Sequence, residues 1–273
     1  MLESKNIPRL REVAKVFINH GFTDVLEKLD IFSLANYPKQ RYQTADHNGL
    51  PHRAKHLRLA FEELGEVYVR FGQLIALYDY LPPTFVAELN QLQSHAEPLP
   101  VETVRSIIEQ ELGFPVEELF ETLDDKAISI NTISQEHRAR MKAHNSEQHG
   151  EVVVKVIRPN VEEAIELDLS ILKEVANHLP KFSPVNRYCF QSLVHQLDRT
   201  FMAELDLTKE AANRERLCDS IEKFVKLRIP KDLSELTRQR LLIREHVEGK
   251  GRPDRVWWQR KGTLSNPRKL RGC

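Results

Sequence analysis

A lysine inside an apolar, β-branched run constrains this chain more than any other feature. Lys155 stands in Glu151-Val152-Val153-Val154-Lys155-Val156-Ile157-Arg158-Pro159. Valine and isoleucine suit a pleated, buried surface, and a short run of them closed by a charge and a proline predicts a buried strand. An ammonium in that setting gives up its hydration, so it needs a carboxylate or a ligand phosphate beside it. Glu210, in Glu204-Leu205-Asp206-Leu207-Thr208-Lys209-Glu210-Ala211-Ala212-Asn213, is the candidate partner. Asp206, Glu210 and Asn213 are spaced i, i+4, i+7, which predicts one helix face able to present acids to a neighbouring strand.

Around that strand the pattern predicts a helical first half and a mixed second half. Residues 8–29 read as two amphipathic helices broken at Gly21, residues 36–51 as a loop, and residues 53–79 as one long helix. Pro82-Pro83 opens a helix to about residue 95, Pro100 and Glu102 another that ends near Gly113, and Pro115 a short fourth. Residues 127–157 predict two or three strands, with a hairpin turn in the polar stretch His144–Gly150. Asn160 is expected to cap a helix to about residue 178, followed by a turn over Pro180–Pro184. Residues 187–224 read as helix with one break, and Val225–Ile229 and Leu241–His246 as the last strands. The fold class expected is α+β.

Charge and cysteine content narrow the function classes. Lys+Arg and Asp+Glu are both 40, so no global field favours nucleic acid. Cys189, Cys218 and Cys273 are odd in number and share no metal-type spacing, which fits a reducing cytoplasm. The N-terminus lacks an apolar signal core, and no uncharged run reaches the roughly 20 residues of a membrane span. The location expected is cytoplasmic, with peripheral contact to the inner membrane as the alternative. His137, His144 and His149 fit no zinc spacing and read as surface histidines. Residues 250–273 form a basic tail carrying Trp257-Trp258, read as a disordered segment or a membrane-surface anchor.

Five segments, in order, carry a family resemblance. They are Leu59–Gly65 leading into Arg70-Phe71-Gly72-Gln73, with Leu81-Pro82-Pro83 and Leu89–Gln93 after it; Ile128–His137; the Lys155 strand with Arg158-Pro159; Glu204-Leu205-Asp206 with Glu210 and Asn213; and Leu242–Gly249. Over residues 8–249 the chain resembles the UbiB family, aarF-domain atypical kinase-like proteins linked to ubiquinone biosynthesis. The segments look like its Lys-x-Gly-Gln signature helix, alanine-rich loop, strand lysine, Glu-x-Asp motif and hinge strand. Protein kinases grip nucleotide phosphates with such a lysine and pair it with a helix glutamate.

The resemblance implies a kinase-like small lobe over residues 121–249 behind a helical extension over residues 1–120, with residues 250–273 as the tail. It implies that Lys155 contacts the phosphates of ATP and pairs with Glu210. It places Arg70 and Gln73 over the nucleotide, Arg70 pairing with Glu204 or Asp206, and Ser129, Thr132 and Ser134 at the phosphate loop. Three departures stand out: arginine for the signature lysine at position 70, Ile130-Asn131-Thr132-Ile133 where the family has alanines, and Glu66 where it has proline. No His-x-Asp loop and no Asp-Phe-Gly occurs in the sequence. The expectation is therefore an incomplete kinase-like protein without its C-terminal lobe, weak in ATP binding, with magnesium held only alongside that lobe. Ubiquinone-biosynthesis proteins or lipid intermediates are the partners implied. The competing expectation is a non-catalytic module that binds a protein or a membrane.

Overall fold

The computed structural model describes residues 6–35, 49–78, 81–142, 150–178, 187–221 and 229–247. The chain opens with α1 (Ile7–Asn19), α2 (Thr23–Lys28) and a short α3 (Ile31–Leu34), the last not expected. Gly21, at φ 81°, makes the break between the first two. Helix α4 (Gly49–Leu64) begins inside the stretch read as a loop, because Pro51 is tolerated in a first turn.

The long helix expected over 53–79 is two helices, α4 and α5 (Glu66–Ala76). Gly65 separates them at φ 100° and ψ −164°, a conformation that costs any residue with a Cβ heavily. Apolar spacing runs through the break because both helices turn their apolar faces to one core, which holds Phe61, Leu64, Val67 and Phe71. Then come α6 (Pro83–Leu89), shorter than expected, α7 (Val101–Leu112), closed by left-handed Gly113 at φ 80°, and α8 (Val116–Leu119).

Four strands follow the order β1 (Phe120–Ile130), β2 (Ser134–Met141), β3 (Glu151–Ile157), β4 (Leu241–Glu245), every neighbouring pair antiparallel. Strand β1 starts seven residues before the position expected, at residue 127. It is an edge strand whose outer positions carry Glu121, Asp124, Asp125 and Lys126, charges that protect an edge but hide the strand pattern. Between β3 and β4 lie α9 (Val161–His178), α10 (Arg187–Glu204) and α11 (Leu207–Ile221). Asn160 precedes α9 at a left-handed φ of 60°, which asparagine tolerates, and its main-chain carbonyl accepts a bond from Ala164 N. Residues 231–233 run beside the outer edge of β4, with Leu233 N donating to Ile243 O at 2.8 Å and Glu245 N to Lys231 O at 2.9 Å. The His144–Gly150 turn (but for Gly150), the Pro180–Pro184 turn, Val225–Arg228 and the tail lie outside the described residues, and Ile229 carries no strand.

The sheet is covered on both faces, so β3 can carry apolar residues on both of its sides. Val152, Val154 and Val156 pack with Ile107 and Ile108 of α7, whereas Ile157, Ile133 and Leu242 pack with helical residues such as Val69, Leu169, Leu197 and Phe201. Alternation along β3 therefore turns Lys155 toward the helices. No helix among the described residues is long and apolar enough to cross a membrane.

Candidate functional site

Lys155 Nζ donates to Glu210 Oε2 at 2.7 Å, joining the centre of β3 to the first turns of α11. The side chains are 17% and 30% exposed, so the pair is only partly screened by water. Glu210 Oε1 accepts from Arg214 Nη2 at 2.7 Å, and Arg214 Nη1 donates to Asp232 Oδ1. On the same side of the sheet Arg244 Nη2 donates to Glu136 Oε2 at 2.8 Å. Three cations and three carboxylates thus face one another in an equal balance. Burial pushes the Glu210 carboxyl up, but the Lys155 bond and the charges of Lys155, Arg214 and Arg244 outweigh it and hold the group below the usual carboxylate range. For Asp232 burial prevails over Arg214 and Arg244, and its carboxyl is raised.

A second cluster surrounds Arg70. Its Nε donates to Glu66 Oε1 and its Nη1 to Glu204 Oε1, each at 2.5 Å, and the guanidinium lies 5.3 Å from the centre of the Phe201 ring. Burial disfavours the Arg70 charge, yet the two carboxylates leave it more firmly protonated than usual. Glu66 thus serves as a clamp one turn before Arg70. Gln73 donates from Nε2 to Leu92 O at 3.0 Å. A Cβ on Gly72 would come within 2.5 Å of both Leu92 Cδ1 and Phe61 Cδ2, so Gly72 permits the close approach that the Gln73 bond fastens.

Other sequence-predicted residues take different places. Asp206 is not on the α11 face with Glu210. It stands just ahead of the helix, where Oδ1 accepts from Thr208 N at 3.1 Å and from Thr208 Oγ1, and Oδ2 meets Lys209 Nζ at 3.2 Å. The bond from the Thr208 hydroxyl comes first among the causes that lower its carboxyl. Asn213 is exposed and accepts from Arg216. Arg70 therefore meets Glu204 and not Asp206. Ser129 is exposed at the end of β1, Thr132 is half-buried and Ser134 is buried. Asn131 Oδ1 accepts from Ile133 N at 2.9 Å and Ser134 N at 2.7 Å, closing this turn on itself, and Arg158 Nε donates to Asn131 O at 2.8 Å.

His137, expected on the surface, is fully buried. Its Nδ1 bonds Asp124 O at 2.7 Å as a donor, which leaves Nε2 to accept from Gln135 Nε2 at 2.8 Å. Residues to which the sequence assigns no role are Arg214, Asp232, Arg244 and Glu136. The i, i+4 spacing of Glu210 and Arg214 is a signal that could have found Arg214; the others depend on strand register.

The donor set fits a nucleotide in part. An ammonium has three protons, and Glu210 engages one of those on Lys155, so the lysine retains donors for a phosphate. The turn after β1 fits less well, since the amides of Ile133 and Ser134 are already taken by Asn131. Phosphate oxygens carry the charge that Lys155 would neutralise; Glu210 would hold the ammonium at its place on the strand.

Known proteins resemble the chain over most of its length. Residues 91–263 match the model of the ABC1 atypical kinase-like domain. "Probable protein kinase UbiB" of Actinobacillus pleuropneumoniae is 29% identical over 249 residues, covering 90% of this chain and 46% of the relative. The protein of the same name from Tolumonas auensis is 31% identical over 268 residues, covering 93% of this chain and 47% of its own length. That of Aeromonas salmonicida reaches 35% over 199 residues, 72% of this chain and 36% of the relative. The chain spans about half the length of the first two relatives. A solved structure of Rv3197 with erythromycin from Mycobacterium tuberculosis aligns with 72% of this chain and 48% of its own, at 24% identity and a TM-score of 0.48. With the matched domain covering more than half of its residues, the chain belongs to the UbiB-type ABC1 atypical kinase-like family.

Proposed function

We propose that this chain supplies the phosphate-gripping half of an ATP site and takes part in ATP-dependent support of ubiquinone biosynthesis. The observation that carries the reading is the Lys155–Glu210 bond at 2.7 Å between a buried strand and a helix, the arrangement through which kinases hold a phosphate-binding lysine. Phosphoryl transfer also needs magnesium ligands and a catalytic aspartate, for which this sequence has no His-x-Asp or Asp-Phe-Gly motif. The chain by itself binds ATP weakly and does not transfer phosphate, and the magnesium belongs with such motifs. Its partners are quinone-pathway proteins or lipid intermediates at a membrane surface. Displacement of a fluorescent ATP analogue tests the phosphate contact. ATP should displace it better than adenosine, and Lys155→Ala should abolish that preference; equal displacement by ATP and adenosine in the wild type would refute it.

A second reading is a non-catalytic module that binds a protein or a membrane. It is favoured by the turn at Asn131–Ser134, whose amides are spent internally instead of facing a ligand. Under that reading neither ATP nor adenosine displaces the analogue specifically.

A further inference from the structure

Helix α11 is held unevenly along its length. Its inner end is fixed, because Leu207 is fully buried and its N–H donates to Gln239 O at 2.9 Å. Past Arg214 the side chains of Glu215, Arg216, Leu217, Asp219 and Ser220 are exposed, and Cys218 is half-buried. A cavity of about 450 Å³, walled by Ala211, Cys218, Pro230, Ser234 and Thr237, separates this outer half from the segment beside β4. Apolar packing therefore does little to set how far the outer half stands from the sheet.

Arg214 reaches along the wall of that cavity. One guanidinium nitrogen donates to Glu210, one turn back on the same helix, and another to Asp232. Asp232 is itself fixed by main-chain pairing opposite Arg244, with Leu233 N bonded to Ile243 O at 2.8 Å on one side and Glu245 N to Lys231 O at 2.9 Å on the other. A planar fork that bonds two carboxylates sets their relative positions, which a single point charge does less well.

We infer that Arg214 and Asp232 are positioning residues for Glu210: they form a strut from the outer sheet edge to α11 that keeps Glu210 within reach of Lys155. The inference rests on the nucleotide reading for its functional meaning, while the strut itself is testable without nucleotide. Loss of the strut lets α11 tip about its buried inner end, and Glu210 moves off Lys155. Asp232 also carries a raised carboxyl, a consequence of its burial beside the cavity, so an unmatched Asp232 is costly and the Arg214 fork relieves it.

Amide hydrogen exchange and urea unfolding of the full chain decide the matter, using Asp232→Asn, Asp232→Glu, Arg214→Gln and Lys155→Ala. In Asp232→Asn and Arg214→Gln, exchange in the outer half of α11 should rise about tenfold, the factor for about 1.4 kcal/mol, while β3 and β4 hold their protection. Asp232→Glu should restore the slow exchange. The urea-midpoint loss caused by Lys155→Ala should shrink to about half in the Asp232→Asn background, since the pair is already displaced there. Additive losses, unchanged α11 exchange, or faster exchange spread evenly over the chain would overturn the strut. Mg-ATP binding by the wild type is measured in parallel: its absence refutes the nucleotide reading and leaves the exchange result to judge the strut alone.

Discussion

Lys155 and Glu210 are 55 residues apart in sequence and 2.7 Å apart in the fold. Their meeting is legible because the β-branched run admits one charge, and a charge so placed demands a partner. The strut behind Glu210 is not legible to the same degree. Arg214 follows from helical spacing, but Asp232 enters only because residues 231–233 pair with the edge of β4. His137 misleads for a related reason: it lies among Gln135, Glu136 and Arg138, and burial is decided by the β-strand alternation that points it inward. The Glu210 carboxyl is depressed below its ordinary value of 4.5, so in the folded state it binds fewer protons than in the unfolded one. Its contribution is full above pH 4.5 and is lost as pH falls through the lower folded value. Lys155→Ala should cost about 1–2 kcal/mol near neutrality, between the values for exposed and buried pairs. It should also flatten the decline of stability below that pH, checked by urea unfolding from pH 7 to pH 3. A variant that loses stability in parallel with the wild type across that range would exclude the linkage.

Helix α5 shows what an element needs beyond its own residues. Its start is set by Gly65, whose conformation is unfavourable for other residues, and its docking by Gly72 and Gln73 against Leu92. Together these explain why the sequence Arg70-Phe71-Gly72-Gln73 suits this place: one residue anchors to Glu204, one approaches closely, one fastens the approach. The break at Gly65 escapes a periodicity reading because α4 and α5 share a core, whereas the break at Gly113 is readable because a change of pattern follows it. Gly72→Ala should destabilise the chain by about 1–3 kcal/mol through overpacking against Phe61 and Leu92, measured by thermal unfolding. Retention of wild-type stability would mean that the two side chains yield without cost.

At the scale of the molecule, the first helix is bound into the rest by a partly buried fork. Arg9 donates to both oxygens of Asp168 at 2.8 Å and 3.0 Å and to Leu64 O at 2.9 Å, tying α1 to α9 and to the end of α4. Burial raises the Asp168 carboxyl, and the Arg9 bond opposes it. The same Leu64 precedes the Gly65 turn into α5, so the helical extension and the site share one frame, from Arg9 through Arg70 and Glu204 to α11. That α+β frame follows from the strand run and the helix signals; which helix covers which face of the sheet depends on pairings between distant segments. A chain of about half its relatives' length is proposed to carry the phosphate-gripping part of an ATP site. Calorimetric titration of the chain with Mg-ATP, repeated on Lys155→Ala, tests it most directly. A dissociation constant of about 1 mM is expected for the wild type and no measurable binding for the variant. Micromolar affinity, or equal binding by both proteins, would contradict it.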